Sequence, residues 1–126
     1  MKPWDASIRQ YVQPVLYPVN SKQIAQFFTS LRVLMSAGMT IAEAMAHLSR
    51  QTRNHTLKRV AREAAEAATK GKPMSTVLKR FPGAFSKATL AAVEAAEQSG
   101  MLEQAADLLA KYYDRTYQLE MTYRWQ

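Results

Sequence analysis

From Ser21 onward the apolar residues of this chain recur at helical intervals, and three of the runs they form stop at a glycine. Ile24, Phe27, Phe28, Leu31, Leu34 and Met35 make one stripe at a spacing of three or four, which predicts an amphipathic helix. Ser21 is placed to cap its start, and Gly38 sits where a left-handed stop is wanted. Thr40 opens a second helix with inner face Ile41, Ala44, Met45 and Leu48, and Glu43, three residues on, completes a capping box. Asn54 begins a third, with Leu57, Val60, Ala61, Ala64 and Ala68 inward and Gly71 as its stop. Its wet side reads as Arg59, Arg62, Glu63 and Glu66, with Arg59–Glu63 and Arg62–Glu66 pairs one turn apart.

Pro73 then starts a short helix through Met74, Val77, Leu78 and Phe81, which Pro82-Gly83 ends. Ser86 caps a fifth helix carrying Leu90, Val93 and Glu97, closed by Gly100. The last runs from about Leu102, and Ala105, Leu108, Leu109, Tyr112, Leu119 and Tyr123 share a broad face. No alternating Val/Thr-rich segment demands a strand. Short turns make successive helices antiparallel neighbours. The expected fold is therefore an all-α, compact six-helix antiparallel bundle over residues 21–126.

Residues 1–20 stand apart as an N-terminal arm. Pro3, Pro14 and Pro18 break any long helix. Trp4, Ile8, Tyr11, Val12 and Val15 still fall on one side of a helical wheel, which fits an arm packed on the bundle or a segment that docks a partner or membrane surface. The longest stretch without a charge, Gln10 to Ser21, holds two prolines. It falls well short of the roughly 20 apolar residues that a membrane-spanning helix needs. The opening residues lack the unbroken apolar core of a signal peptide. With no cysteine, disulfides, thiolate zinc sites and a cysteine nucleophile are excluded.

The net charge of +7 is unevenly spread. Residues 50–87 hold ten basic and two acidic side chains, whereas residues 88–126 hold three basic and six acidic. Such asymmetry points to an acidic protein, nucleic acid or anionic lipid beside the middle segment, and an ordinary solvated helix face produces the same pattern. Arg50, Arg53, Lys58, Arg59 and Arg62 are the candidate docking residues.

Catalytic constellations are missing from the sequence. His47 and His55 are its only histidines and fall on different helices. Glu94 and Glu97 share a helix face at a spacing that can offer two carboxylates to one cation, a weak metal candidate, because a hard divalent ion wants six or more oxygens. Lys70-Gly71-Lys72-Pro73 lacks the glycine spacing of a phosphate loop. No cofactor is expected, and the chain reads as a scaffold and not an enzyme. Thr40-Ile41-Ala42-Glu43-Ala44 after a glycine turn imitates a helix-turn-helix, but no recognition helix with exposed Asn, Gln or Arg at its amino end follows. That counts against DNA.

Three stretches together carry a family likeness. They are Phe27-Phe28-Thr29-Ser30-Leu31 through Gly38-Met39-Thr40-Ile41-Ala42-Glu43-Ala44; Gly71-Lys72-Pro73-Met74-Ser75 running to Phe81-Pro82-Gly83-Ala84-Phe85; and Glu97-Gln98-Ser99-Gly100-Met101-Leu102. In this order and spacing the chain resembles the type II secretion system protein F domain family over about residues 22–126. Gly38, Gly71, Pro82, Glu97 and Gly100 are the structural positions of that pattern. Ala96 departs from it, standing where family members often have glycine.

The resemblance implies the first of two cytoplasmic domains of an inner-membrane platform protein from a type II secretion or type IV pilus machine. It implies a place between a secretion ATPase and pilin or pseudopilin subunits, contact with other inner-membrane assembly proteins, a homodimer, and a location on the cytoplasmic side of the cell inner membrane. It also implies a membrane span just after residue 126 in the parent protein. The aromatic pair around Arg124, Tyr123 and Trp125, suits the headgroup level of a bilayer, and a frayed amphipathic end reads the same way. The alternative is a basic helical domain that binds anionic lipid or nucleic acid. Glu97, one turn before Gly100, is placed to pair with a basic residue or to cap a neighbouring helix, or to meet a partner.

Overall fold

The computed structural model describes residues 19–125. The arm expected over residues 1–20 lies almost wholly outside the described residues, and so does the amphipathic pattern that begins at Trp4. Six helices follow: α1 (Ser21–Ser36), α2 (Ile41–Gln51), α3 (His55–Thr69), α4 (Met74–Leu78), α5 (Lys87–Ser99) and α6 (Leu102–Arg124). No strand occurs among the described residues. The chain is all-α, as its periodicity predicts.

Local chemistry sets the boundaries. Thr40 and Glu43 form a reciprocal box at the start of α2: the Glu43 amide donates to Thr40 Oγ1 at 3.1 Å, and the Thr40 amide donates to Glu43 Oε1 at 3.0 Å. Asn54 caps α3 through the Leu57 amide at 3.0 Å, and Ser86 caps α5 through the Thr89 amide at 3.2 Å. At α1 the cap is Asn20 and not Ser21. Asn20 Oδ1 accepts from the Gln23 amide at 2.8 Å, and Gln23 returns the bond to the Asn20 amide at 3.0 Å. Asparagine with glutamine three residues on outcompetes the serine, whose hydroxyl instead donates to Glu120 on α6. The fourth helix is shorter than expected, with Lys79, Arg80 and Phe81 turning out of it before Pro82.

Two antiparallel pairs form the frame: α1 lies along α6, and α2 along α3. Phe28, Leu31, Met45, Leu57, Val60, Leu78, Phe81, Phe85 and Val93 are fully buried between them. Phe28 is central, edge-on to Phe85 and stacked on Tyr113, each at 6.3 Å between ring centroids. The Tyr113 hydroxyl shares a buried hydrogen bond with Thr89 Oγ1, which joins α5 to α6 without leaving a polar group unsatisfied.

The broad face read on the last helix separates into two. Leu102, Ala106, Leu109, Ala110 and Tyr113 are buried, while Leu108, Tyr112, Leu119 and Tyr123 are exposed. The inner side thus mixes the small Ala106 and Ala110 with the larger Leu102, Leu109 and Tyr113.

Candidate docking groove

The hairpin of α2 and α3 brings the five basic candidates together. Arg50, Arg53, Lys58, Arg59 and Arg62 all line one open groove of about 720 Å³, beside His55, Thr52 and Thr56, with Phe81 at its wall. Arg50 closes α2, Arg53 lies in the turn, and Lys58, Arg59 and Arg62 occupy the first two turns of α3. Lys58 and Arg62 are one turn apart, so they share a side.

The charges in the groove are not equivalent. Arg59 Nε donates to Glu63 Oε2 at 2.9 Å. Glu63 is no solvated residue, since its side chain is only 17% exposed, and its other oxygen accepts from Arg80 Nη1 at 2.6 Å. One carboxylate thus ties α3 to the turn after α4. The predicted Arg62–Glu66 pair does not form, and among the described residues Arg50, Arg53, Lys58 and Arg62 make no ion pair. Most of the groove's positive charge is therefore not compensated by ion pairs among the described residues.

Glu97 accepts a hydrogen bond from the Ser75 amide at 3.3 Å. α4 has Pro73 at its cap position and no side-chain cap of its own, so a carboxylate from α5 serves an amide that would lack a partner inside the helix. Glu94 faces Lys79 at 4.0 Å instead. No group of three or more His, Asp or Glu residues able to hold a metal ion occurs among the described residues.

The family-like segments meet at the opposite end of the bundle. Met35, Ile41, Gly71, Met74, Glu97, Gly100 and Leu102 line one groove of about 580 Å³. Gly71 and Gly100, both at φ +73°, make the turns that let the chain reverse there. Pro82 lies elsewhere, exposed between the buried Phe81 and Phe85. The sequence pointed to the basic residues and to the motifs. It carried no signal for the Arg80–Glu63 link or for Phe81 beside the cations, because both depend on how α4 folds back on α3.

Among the described residues the chain is an all-α domain of six helices with motif-built glycine turns at one end and a basic groove at the other. The family profile described as "Type II secretion system (T2SS), protein F" matches residues 27–124, and the chain belongs to that family. It is 28% identical over 103 residues to the type II secretion system protein F of Xanthomonas campestris, covering 82% of this chain and 25% of that protein. It is 28% identical over 109 residues to the type IV pilus assembly protein TapC of Aeromonas hydrophila, covering 86% and 25%. It is 30% identical over 98 residues to the type IV pilus assembly protein PilC of Thermus thermophilus, covering 78% and 24%. The chain spans about a quarter of the length of these relatives. No helix among its described residues is long and apolar enough to cross a membrane.

Proposed function

We propose that this chain is a cytoplasmic domain of an inner-membrane platform protein, which couples a secretion or pilus ATPase to the assembly of pilin or pseudopilin subunits. The observation that carries the reading is family membership across residues 27–124, together with relatives named for type II secretion and type IV pilus assembly. The domain acts as a scaffold without bond-making chemistry of its own. A buried aromatic cluster around Phe28 and the Thr89–Tyr113 bond support the reading that it moves as one body. Movement of the ATPase on nucleotide turnover passes through this rigid body to a membrane span that follows it in the parent protein. The domain works as a homodimer, and its basic groove receives an acidic partner.

The test is made in cells. A platform protein lacking this domain should reach the membrane and fail to export substrate or extend pili. Undiminished export or piliation by the shortened protein would overturn the reading.

A further inference from the structure

The first turn of α1 joins two features that are far apart in sequence. Ser21 Oγ donates to Glu120 Oε1 at 3.2 Å, and Lys22 Nζ lies 5.6 Å from the centre of the Tyr117 ring, so α1 starts beside the last third of α6. Next to Lys22, Gln23 Oε1 accepts from Asn54 Nδ2 at 3.4 Å, so α1 also starts beside the α2–α3 turn. That turn carries Arg53 of the basic groove, and Arg50 lies in the last turn of α2 beside it. The groove and the carboxyl end of α6 therefore occupy the same end of the bundle, and the glycine turns occupy the other.

That shared end has the composition of a membrane interface. Leu119, Tyr123 and Trp125 are exposed, the last two at 82% and 80%, with Arg124 between them. Aromatic rings and arginine suit the headgroup layer. Among the described residues, Arg50, Arg53, Lys58 and Arg62 make no ion pair, and they lie on the same end. Rings of this kind settle at headgroup depth, and cations without ion pairs complement the phosphates of an anionic bilayer. Anionic phospholipid satisfies both sets at once.

We propose that the basic groove and the Tyr123–Trp125 tip together form a lipid-facing surface that binds the headgroups of anionic phospholipids. This rests on the membrane attachment in the proposed function and names the acidic partner of the groove. The glycine-turn end then points away from the bilayer and is left for protein partners. Each basic residue held near an anionic surface adds roughly a factor of five in affinity, so losing two cations and gaining two anions should weaken binding on the order of a hundredfold or more.

The test uses vesicles of phosphatidylcholine with or without about one-third phosphatidylglycerol, on a Trp4→Phe background so that Trp125 is the sole indole. Binding and a blue shift of Trp125 emission are expected only with the anionic vesicles. Arg50→Glu/Arg53→Glu should abolish both, while Lys70→Glu/Lys72→Glu, which changes net charge equally at the glycine-turn end, should leave most binding in place. Circular dichroism confirms that each variant folds. Equal binding to zwitterionic vesicles, an unshifted Trp125, or equal loss with the two charge-reversed pairs would overturn the proposal. Binding of the machine's ATPase to the Arg50→Glu/Arg53→Glu variant is measured alongside and should persist. If that binding is lost while vesicle binding survives, the groove docks a protein, and the lipid proposal fails while the platform function stands.

Discussion

The Glu97 carboxylate on α5 caps the amide of Ser75 on α4, 22 residues earlier in the chain. α4 is one short turn of helix with no cap of its own, so this contact fixes how the Pro73 turn sits on α5. Removing a helix cap costs typically about 1 kcal/mol, or about 4 °C in melting temperature for a domain of this size. Glu97→Ala should show that loss, and Glu97→Gln, which keeps the acceptor without its charge, a smaller one. Thermal unfolding of the two variants is the check, and equal stability of wild type and Glu97→Ala would refute the assigned role.

Glu63 accepts from both Arg59 and Arg80. Arg80 Nε is itself buried without a partner, so that side chain depends heavily on its one strong acceptor. Breaking a fully buried pair costs about 3–5 kcal/mol. Arg59 is 42% exposed here, so Glu63→Ala should cost about 2 kcal/mol. A double-mutant cycle with Arg80→Met should recover part of the loss, because it removes the stranded charge. Strict additivity would show that the two residues do not interact.

Gly100 ends α5 at φ +73°, with its amide and that of Met101 both donating to the Ala96 carbonyl. Nothing lies near the position a Cβ would take, so substitution there acts through the backbone alone. A residue with a side chain loses about 1–2 kcal/mol in the left-handed region. Gly100→Ala should fall in that range in chemical denaturation, and Gly100→Asn should fall below it. Equal losses for the two would show that space and not backbone conformation sets the cost.

The capping box of α2 gives the fold a defined response to acid. Hydrogen bonds first from the Thr40 amide and then from its hydroxyl favour the charged form of Glu43 and hold its pKa below the ordinary 4.5. A pKa lowered on folding contributes stability that is present above about pH 4.5 and lost as pH falls through the lower folded value. Protection of the first-turn amides of α2, relative to their intrinsic exchange rates at each pH, should therefore fall below about pH 4.5. Glu43→Gln should flatten that dependence. An unchanged profile in the variant would mean that other carboxylates govern the acid response.

Much of this architecture is readable from the chain because caps and stops act over three or four residues. Thr40 with Glu43, Asn54, Ser86 and the glycines announce their turns without help from distant residues. The inner face of α6 is harder to read, since Leu108 and Leu119 are as apolar as the buried Leu102 and Leu109, and which side meets the bundle is set by distant helices. Asn20 competes with Ser21 for one cap, and the winner depends on Gln23. Charge spacing alone identifies the five cations of the groove. Their nearness to the end of α6 is set by the start of α1, through contacts with Glu120 and Asn54 that no local pattern encodes.

The central claim is that this bundle relays movement from an ATPase and performs no chemistry itself. Its most direct test is to pass the ATPase of the same secretion or pilus system over the immobilised chain while assaying the chain alone for ATP hydrolysis. The account predicts saturable ATPase binding that changes with bound nucleotide, and no hydrolysis by the chain. Turnover by the purified chain, or the absence of ATPase binding even at low salt, would contradict it.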